Sequence, residues 1–359
     1  MPEFQPPPAH DIGAAHTPPL AAARVRTYAE AGVDIAAGER AVDLMRPAIA
    51  AASGMVNQFG AFGAAVPSPG SDMLLVSSAD GVGTKLCLAR NDRECAGLGR
   101  DLVHHCIDDI LTCGARPIFF LDYLAFGKLR PERAAAIVSG MAAACAAHGA
   151  ALVGGETAEL PDIYRPDAFD VAGFIVGTVA RDKLIDGTKI RAGNTLIGLP
   201  SAGLHTNGYS LARALLADRL DETLPKAAED QPSVTVRDLL LAEHRSYLGS
   251  LGPLLDAGLL LGIAHITGGG LPGNVPRMLP QGLAARFDPQ SWALPPIFSL
   301  LKDYDLAASE LYRTFNMGIG MVLACDAEAA ADVRAALPGA VIVGAVEDDS
   351  GQGRVVGLY

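Results

Sequence analysis

Six consecutive residues, Asp80-Gly81-Val82-Gly83-Thr84-Lys85, bring a carboxylate, two glycines, a hydroxyl and an ammonium together directly after the apolar run Met73-Leu74-Leu75-Val76. A carboxylate offers the oxygen ligands that Mg2+ prefers. Glycines let backbone N–H groups approach a phosphate, and the lysine adds a point charge. The Gly-x4-Gly-Lys-Ser/Thr spacing of a Walker loop is absent, because Thr84 precedes the lysine. Asp-Gly and glycine-rich turns also arise for conformational reasons alone, so the hexapeptide by itself reads more readily as a turn than as a site.

Three further stretches carry chemistry. Asp109-Ile110-Leu111-Thr112-Cys113-Gly114-Ala115-Arg116-Pro117 has the form Asp-x4-Gly-Ala-x-Pro. Gly154-Gly155-Glu156-Thr157-Ala158-Glu159 reads as an acidic pair after a strand and a flexible glycine turn. Gly203-Leu204-His205-Thr206-Asn207-Gly208-Tyr209-Ser210 precedes a helix, and Thr267-Gly268-Gly269-Gly270 follows later. His205 is placed for general acid–base work or phosphate contact, with a solvent-exposed turn histidine as an even alternative. Asn207 and Ser210 fit a helix cap that also meets substrate. Gly268, Gly269 and Gly270 with Asn274 fit an anion nest at a helix start, or a plain tight turn. His104, His105 and His148 read as helix-surface or packing residues.

The elements that must position these groups alternate. Strands are expected at 73–76, 117–123, 151–153 and 171–179, and helices at 98–113 and 132–147, which is an α/β or α+β pattern. In the first helix Leu102, Val103, Cys106, Ile107, Ile110 and Leu111 recur at three- and four-residue spacing and form the buried stripe. Gly114 and Pro117 stop it, leaving Asp109 about a turn before its end. Polar residues between 180 and 193 mark a domain boundary. Beyond it, strands are expected at 195–199, 284–287, 318–325, 341–346 and 354–358, and a helix at 210–217. The chain divides into a Pro/Ala-rich disordered tail over 1–24, a first domain over 25–181 and a second over 182–359. The charged stretch 218–235 reads as a surface connection.

Composition narrows the function. With 359 residues, half of them hydrophobic, two domains can each bury a core. The net charge of −12 argues against nucleic acid as a main partner, since phosphate backbones select basic surfaces. Residues 137–155 are apolar enough to raise a membrane span, but His148-Gly149 interrupts them and Pro131-Glu132-Arg133 begins a helix; helix, turn and strand fit better. The six cysteines lack Cys-x2-Cys spacing and read as buried thiols of a cytoplasmic protein.

Taken in order, these motifs resemble the phosphoribosylformylglycinamidine cyclo-ligases, or AIR synthetases. The match runs from Tyr28-Ala29-Glu30-Ala31-Gly32-Val33-Asp34-Ile35 to the C-terminus. It includes Ile118-Phe119-Phe120-Leu121-Asp122-Tyr123, Asp170-Val171-Ala172-Gly173-Phe174 and Tyr312-Arg313-Thr314-Phe315-Asn316. The Asp-x4-Gly-Ala-x-Pro element is similar to the signature of a wider ATP-binding superfamily that includes selenophosphate synthetase and thiamine-monophosphate kinase.

The resemblance implies a two-domain AIR synthetase-like α/β (α+β) fold and a homodimer. N-terminal sheets of two subunits would pack into a central barrel, with ATP near that interface. It implies ATP-dependent closure of formylglycinamidine ribonucleotide to 5-aminoimidazole ribonucleotide, a C–N bond-forming step of purine biosynthesis. The formamide oxygen is phosphorylated first, and ADP and phosphate are released. It further implies Mg2+ held by Asp80, Asp109 and Glu156, with Lys85 on phosphate. Gly81, Gly83 and Thr84 would be close to the nucleotide. Gly60 and Gly63 correspond to a glycine-rich loop, in which Val56-Asn57-Gln58 replaces part of the expected glycine run. Asp108 departs from the family, which usually has Asn there. Two alternatives stay open: a selenophosphate synthetase-like enzyme, against which the absence of Cys from 25–72 counts, and a non-catalytic nucleotide-binding subunit.

Overall fold

A computed structural model describes residues 25–52, 62–68, 72–224 and 233–359. The 1–24 segment and Gly60 lie outside the described residues.

After helix α1 (Ile35–Ala52) come strands β1 (Ala64–Pro67) and β2 (Met73–Gly81). Then follow helix α2 (Asp92–Leu111), strand β3 (Arg116–Phe126), helix α3 (Pro131–Ala147), and strands β4 (Ala151–Glu159) and β5 (Phe169–Ala180). These strands form a five-stranded sheet in the order β1-β2-β5-β3-β4, antiparallel except for the β3–β4 pair. The strand alternation is legible in β5, where Val171, Gly173 and Ile175 are buried while Phe174 stands exposed between them.

Helices α2 and α3 cover one face of this sheet. α2 starts at Asn91, whose side chain accepts the Glu94 N–H, and carries Asp92 and Glu94 in its first turn, where the helix dipole favours negative charge. The helices approach closely because of two glycines. A Cβ on Gly99 would lie 2.1 Å from the Ile137 carbonyl oxygen, and one on Gly140 would lie 1.9 Å from that of Ala96. Every residue of the expected apolar stripe on α2 is buried.

The second half builds a six-stranded sheet in the order β11-β8-β10-β6-β9-β7. Its strands are β6 (Thr195–Pro200), β7 (Gly262–His265), β8 (Leu283–Phe287), β9 (Ile319–Cys325), β10 (Val341–Asp348) and β11 (Val355–Val356). Helix α4 (Tyr209–Leu216) follows β6, and helices α5 (Val236–Leu240), α6 (Leu248–Asp256) and α7 (Gly270–Asn274) come before β8. Shorter helices at Pro296–Lys302, Ala308–Thr314 and Ala330–Ala335 complete it.

Three sequence expectations change here. Asp80 and Gly81 do not follow the first strand but belong to it, because β2 runs nine residues. Gly154, Gly155 and Glu156 are likewise inside a strand and not a turn after one. The segment beginning at Val25 also sides with the second half: Val25 joins its core, Arg26 pairs with Asp305, and the Tyr28 N–H donates to Glu310.

Candidate active site

α2 carries a second stripe besides the apolar one. Asp101, His105, Asp108 and Asp109 recur at i, i+4, i+7 and i+8, so they share a face. All four are buried, and the second half of the chain supplies their main partners. Asp101 Oδ1 accepts the backbone N–H of His244 at 2.6 Å, and Asp108 Oδ1 accepts that of Tyr247 at 2.9 Å. One helix face thereby clamps the loop between α5 and α6. Burial pushes the Asp108 carboxyl well above the usual range, with the Tyr247 N–H and His105 opposing only in part. Its Oδ2 has no hydrogen-bond partner.

The hexapeptide splits between two environments. Lys85 lies at the end of its turn with no exposed surface, 2.7 Å from Asp101 Oδ2 and 2.7 Å from the Ala242 carbonyl oxygen. In place of an open ammonium for the expected phosphate contact, the structure shows a buried pair that joins the two halves. Burial raises the Asp101 carboxyl, opposed by Lys85 and the His244 N–H. Asp80, by contrast, keeps its side chain 45% exposed, while Nε2 of His105 sits 2.7 Å from its Oδ2. Burial works against the Asp80 charge, but His105 and the Gly81 N–H outweigh it and hold its pKa below the ordinary value.

His105 is the hinge of the cluster. Its Nδ1 donates to Thr206 Oγ1 at 2.6 Å, and its Nε2 faces Asp80 and, at 3.8 Å, Asp109 Oδ2. Burial alone would depress its pKa, yet Asp80, Asp109 and Asp108 raise it to about 9. Asp109 has one oxygen bonded to the Ser78 hydroxyl at 2.9 Å and the other to Nδ1–H of His265 at 2.9 Å. Each carboxylate oxygen retains a second lone pair, so Asp109 can still face a cation.

The turn before α4 meets this edge. Ser210 Oγ lies 3.0 Å from Thr84 Oγ1, and a Cβ on Gly83 would sit 3.7 Å from the Thr206 carbonyl oxygen. Asn207 Oδ1 lies against Gly268. His205 is not the exposed turn histidine of the alternative. It is buried at φ 61°, its Nε2 accepts the Ala202 N–H at 3.1 Å, and its carbonyl takes the Tyr209 hydroxyl. Burial and the surrounding cations keep it well below the normal histidine range. The Gly268–Gly270 turn is closed by Asn274, whose amide donates to the Thr267, Gly268 and Gly270 carbonyls.

The comparisons place this architecture. The family model described as "AIR synthase related protein, N-terminal domain" matches residues 63–179, and its C-terminal counterpart matches residues 191–357. A curated relative from Trichlorobacter lovleyi, named phosphoribosylformylglycinamidine cyclo-ligase, is 47% identical over 87% of this chain and 91% of its own length. One of the same name from Myxococcus xanthus is 44% identical over 92% and 98%. The chain belongs to the AIR synthase family.

Solved structures share its fold at low identity. Thiamine-monophosphate kinase from Stenotrophomonas maltophilia has a TM-score of 0.59 at 17% identity, covering 88% of this chain and 93% of that one. T. maritima PurL complexed with ADP has a TM-score of 0.53 at 16% identity over 82% and 43%.

Of the expected metal ligands, the fold brings Asp80 and Asp109 to one place and leaves Glu156 elsewhere. Asp80 pairs across β5 and β3 with Gly173, Asp122 and then Gly155 of β4, so three strand spacings, roughly 14 Å, intervene. Glu156 pairs with Tyr123 and Ala172, one residue out of step with Asp80, and therefore projects from the opposite face. Gly63 packs on Val76 behind β2, and the adjoining Phe62 ring lies 4.7 Å under the Arg277 guanidinium. That arginine feels the charges of both Asp109 and Asp80 and was missed by the sequence reading. His105, His265 and Asp101 were missed as well. The i, i+4, i+7, i+8 polar stripe of α2 was the available signal for two of them.

Proposed function

We propose that this chain closes formylglycinamidine ribonucleotide to 5-aminoimidazole ribonucleotide, with ATP converted to ADP and phosphate, as a C–N bond-forming ligase of purine biosynthesis. The observation that carries this is the near full-length similarity to curated cyclo-ligases from several bacteria, 44–48% identical over at least 83% of the chain. Fold neighbours solved in complex with AMPPCP or ADP support the nucleotide half of the reading.

Asp80 and Asp109 are the residues we assign to Mg2+. Their donor set fits: two carboxylates, one of them half open, with the remaining positions left to phosphate oxygens and water. When bound, the ion supplies positive charge against the γ-phosphate. The chain's own part is positioning. His265 and Ser78 fix the Asp109 carboxylate, and His105 holds Asp80 while the Thr206 hydroxyl orients its ring. The Gly83–Thr84 backbone, Ser210 and Asn207 form the adjoining wall, and Arg277 offers the nearby cation for a phosphate. His205 is assigned to shaping this turn, since both its burial and its Ala202 bond oppose proton exchange with substrate. Holding the two anionic ligands side by side turns ring closure into an intramolecular step.

We assign the homodimer interface to the open face of the first sheet. Tyr123, Phe174 and Val153 are 41%, 42% and 58% exposed there or at its bulge, an apolar patch of the kind that marks an interface. Glu156 stands on this face, where a second subunit meets it. Free cysteines fit the cytoplasm, and no helix among the described residues is long and apolar enough to cross a membrane. The decisive assay is ADP release with formylglycinamidine ribonucleotide as substrate. Substrate-dependent ADP with an aminoimidazole product is expected, and the absence of both would sink the assignment.

A further inference from the structure

Behind the Asp80–Asp109 edge, three imidazoles converge from three separate segments of the second half. His205 comes from the turn after β6, His244 from the loop between α5 and α6, and His265 from the end of β7. Each is at most 1% exposed. The His205 and His244 rings stack at 4.0 Å, and His244 meets His265 at 5.3 Å. One ring nitrogen on each, Nδ1 of His205 and Nε2 of His244 and His265, is buried with no hydrogen-bond partner. One ligand atom from each of the three falls within 4.8 Å of the others. Buried polar atoms are nearly always paired, so three orphans in one cluster call for a common partner.

We propose that His205, His244 and His265 form a binding site for one divalent transition cation of the zinc type, distinct from the Mg2+ position. All-imidazole donors select zinc, cobalt or nickel over magnesium. Zinc-bound nitrogens in a tetrahedron lie about 3.4 Å apart, so atoms now within 4.8 Å of one another close by up to about 1.4 Å on binding. The outer contacts are those that metal-bound histidines use. His265 donates Nδ1–H to Asp109, and His244 donates Nδ1–H to the Arg245 carbonyl at 3.1 Å, which leaves Nε2 of both as free lone pairs. His205 differs. Its Nε2 accepts the Ala202 N–H, so its own proton sits on Nδ1; binding through Nδ1 requires that proton to shift to Nε2, and the ring then gives up the Ala202 bond. His105 Nε2 also lacks a hydrogen bond, but the Asp80 carboxylate 2.7 Å away is its ion-pair partner and Thr206 holds its Nδ1, so His105 is not part of the set. The site would pin three loops of the second half and, through the Asp109–His265 bond, stiffen the nucleotide edge. It stands whether or not the substrate assignment holds.

The test uses the full-length protein stripped with a chelator and titrated with Co2+ and Zn2+ in excess Mg2+. One equivalent of Co2+ per chain should give visible bands of tetrahedral intensity, Zn2+ should displace it, and Zn2+ should raise Tm. His244→Gln should weaken Co2+ binding by more than the roughly 10- to 100-fold that loss of an outer-shell partner costs. His148→Gln, away from the cluster, should change nothing. If His244→Gln does not fold, X-ray absorption of the zinc-loaded wild-type protein decides, with three imidazoles expected in the first shell. Lack of tetrahedral bands, an oxygen-only shell, or binding lost in His148→Gln but kept in His244→Gln would overturn the proposal. The three nitrogens would then suit a water that accepts from His205 and donates to the other two.

Discussion

The two faces of the first sheet have opposite characters. Toward α2 and the second half, the region around Asp80 is dense with charge: Lys85 on Asp101, His105 on Asp80, His265 on Asp109. The other face shows Tyr123, Phe174 and Glu156 to solvent. One chain supplies both because side chains alternate along a strand, so Ala79 and Asp80 point in opposite directions. The difference separates a face whose charges are paired within one subunit from the apolar face to which we assign the dimer contact.

If the charged face is complete, breaking it costs most. Lys85→Met should destabilise by about 3–5 kcal/mol, because it leaves Asp101 buried without its counter-charge. Pairing it with Asp101→Leu should recover much of that in urea unfolding, and a single variant as stable as wild type would remove the pair from the account. Next comes pH. With His105 raised to about 9 in the folded state against an ordinary 6.5, its contribution is full below about pH 6.5. It is lost as pH climbs through 9, and the difference is on the order of 3 kcal/mol. Metal-free protein should therefore lose stability between neutral and alkaline pH, and His105→Gln should flatten that decline. A profile unchanged by the variant would mean the imidazole is neutral.

Asp109→Asn should lower ATP-dependent turnover by about 100-fold or more at fixed Mg2+, the scale for losing one preorganised electrostatic group. Unchanged kinetics would take Asp109 out of the cation set. On the apolar face, Phe174→Glu should shift sedimentation from dimer to monomer while the protomer's Tm stays close to wild type. A variant that still dimerises would move the interface elsewhere. The smallest effect is expected from Asp108→Asn, within about 0.5 kcal/mol of wild type, since burial works against the charge that the amide lacks. A large loss would show that the Asp108 carboxylate is ionised.

Much of the fold was legible. The strand and helix order of the first half, the buried stripe of α2 and the place of Asp109 near its end follow from period-two and period-3.6 patterns and from the stop at Gly114. Strand lengths were not, because β2 and β4 continue through glycines that look like turns in isolation. Glu156 stands apart from Asp80 and Asp109 for a related reason: nearness to a strand end says nothing of the strand's rank in the sheet or the face a residue takes. Lys85 looked like a phosphate ligand because its partner lies sixteen positions away on another element.

By itself the sequence determined the family, the two α/β units and the place of Asp109 near the end of its helix, since these rest on local patterns and on ordered motifs. Tertiary structure alone decided that Lys85 pairs with Asp101 in the interior, that Asp80 and Asp109 meet while Glu156 does not, and that four histidines share one buried cluster. Those outcomes depend on which distant elements pack together and on what burial does to each charge. Neither quantity is written in the spacing of residues along the chain.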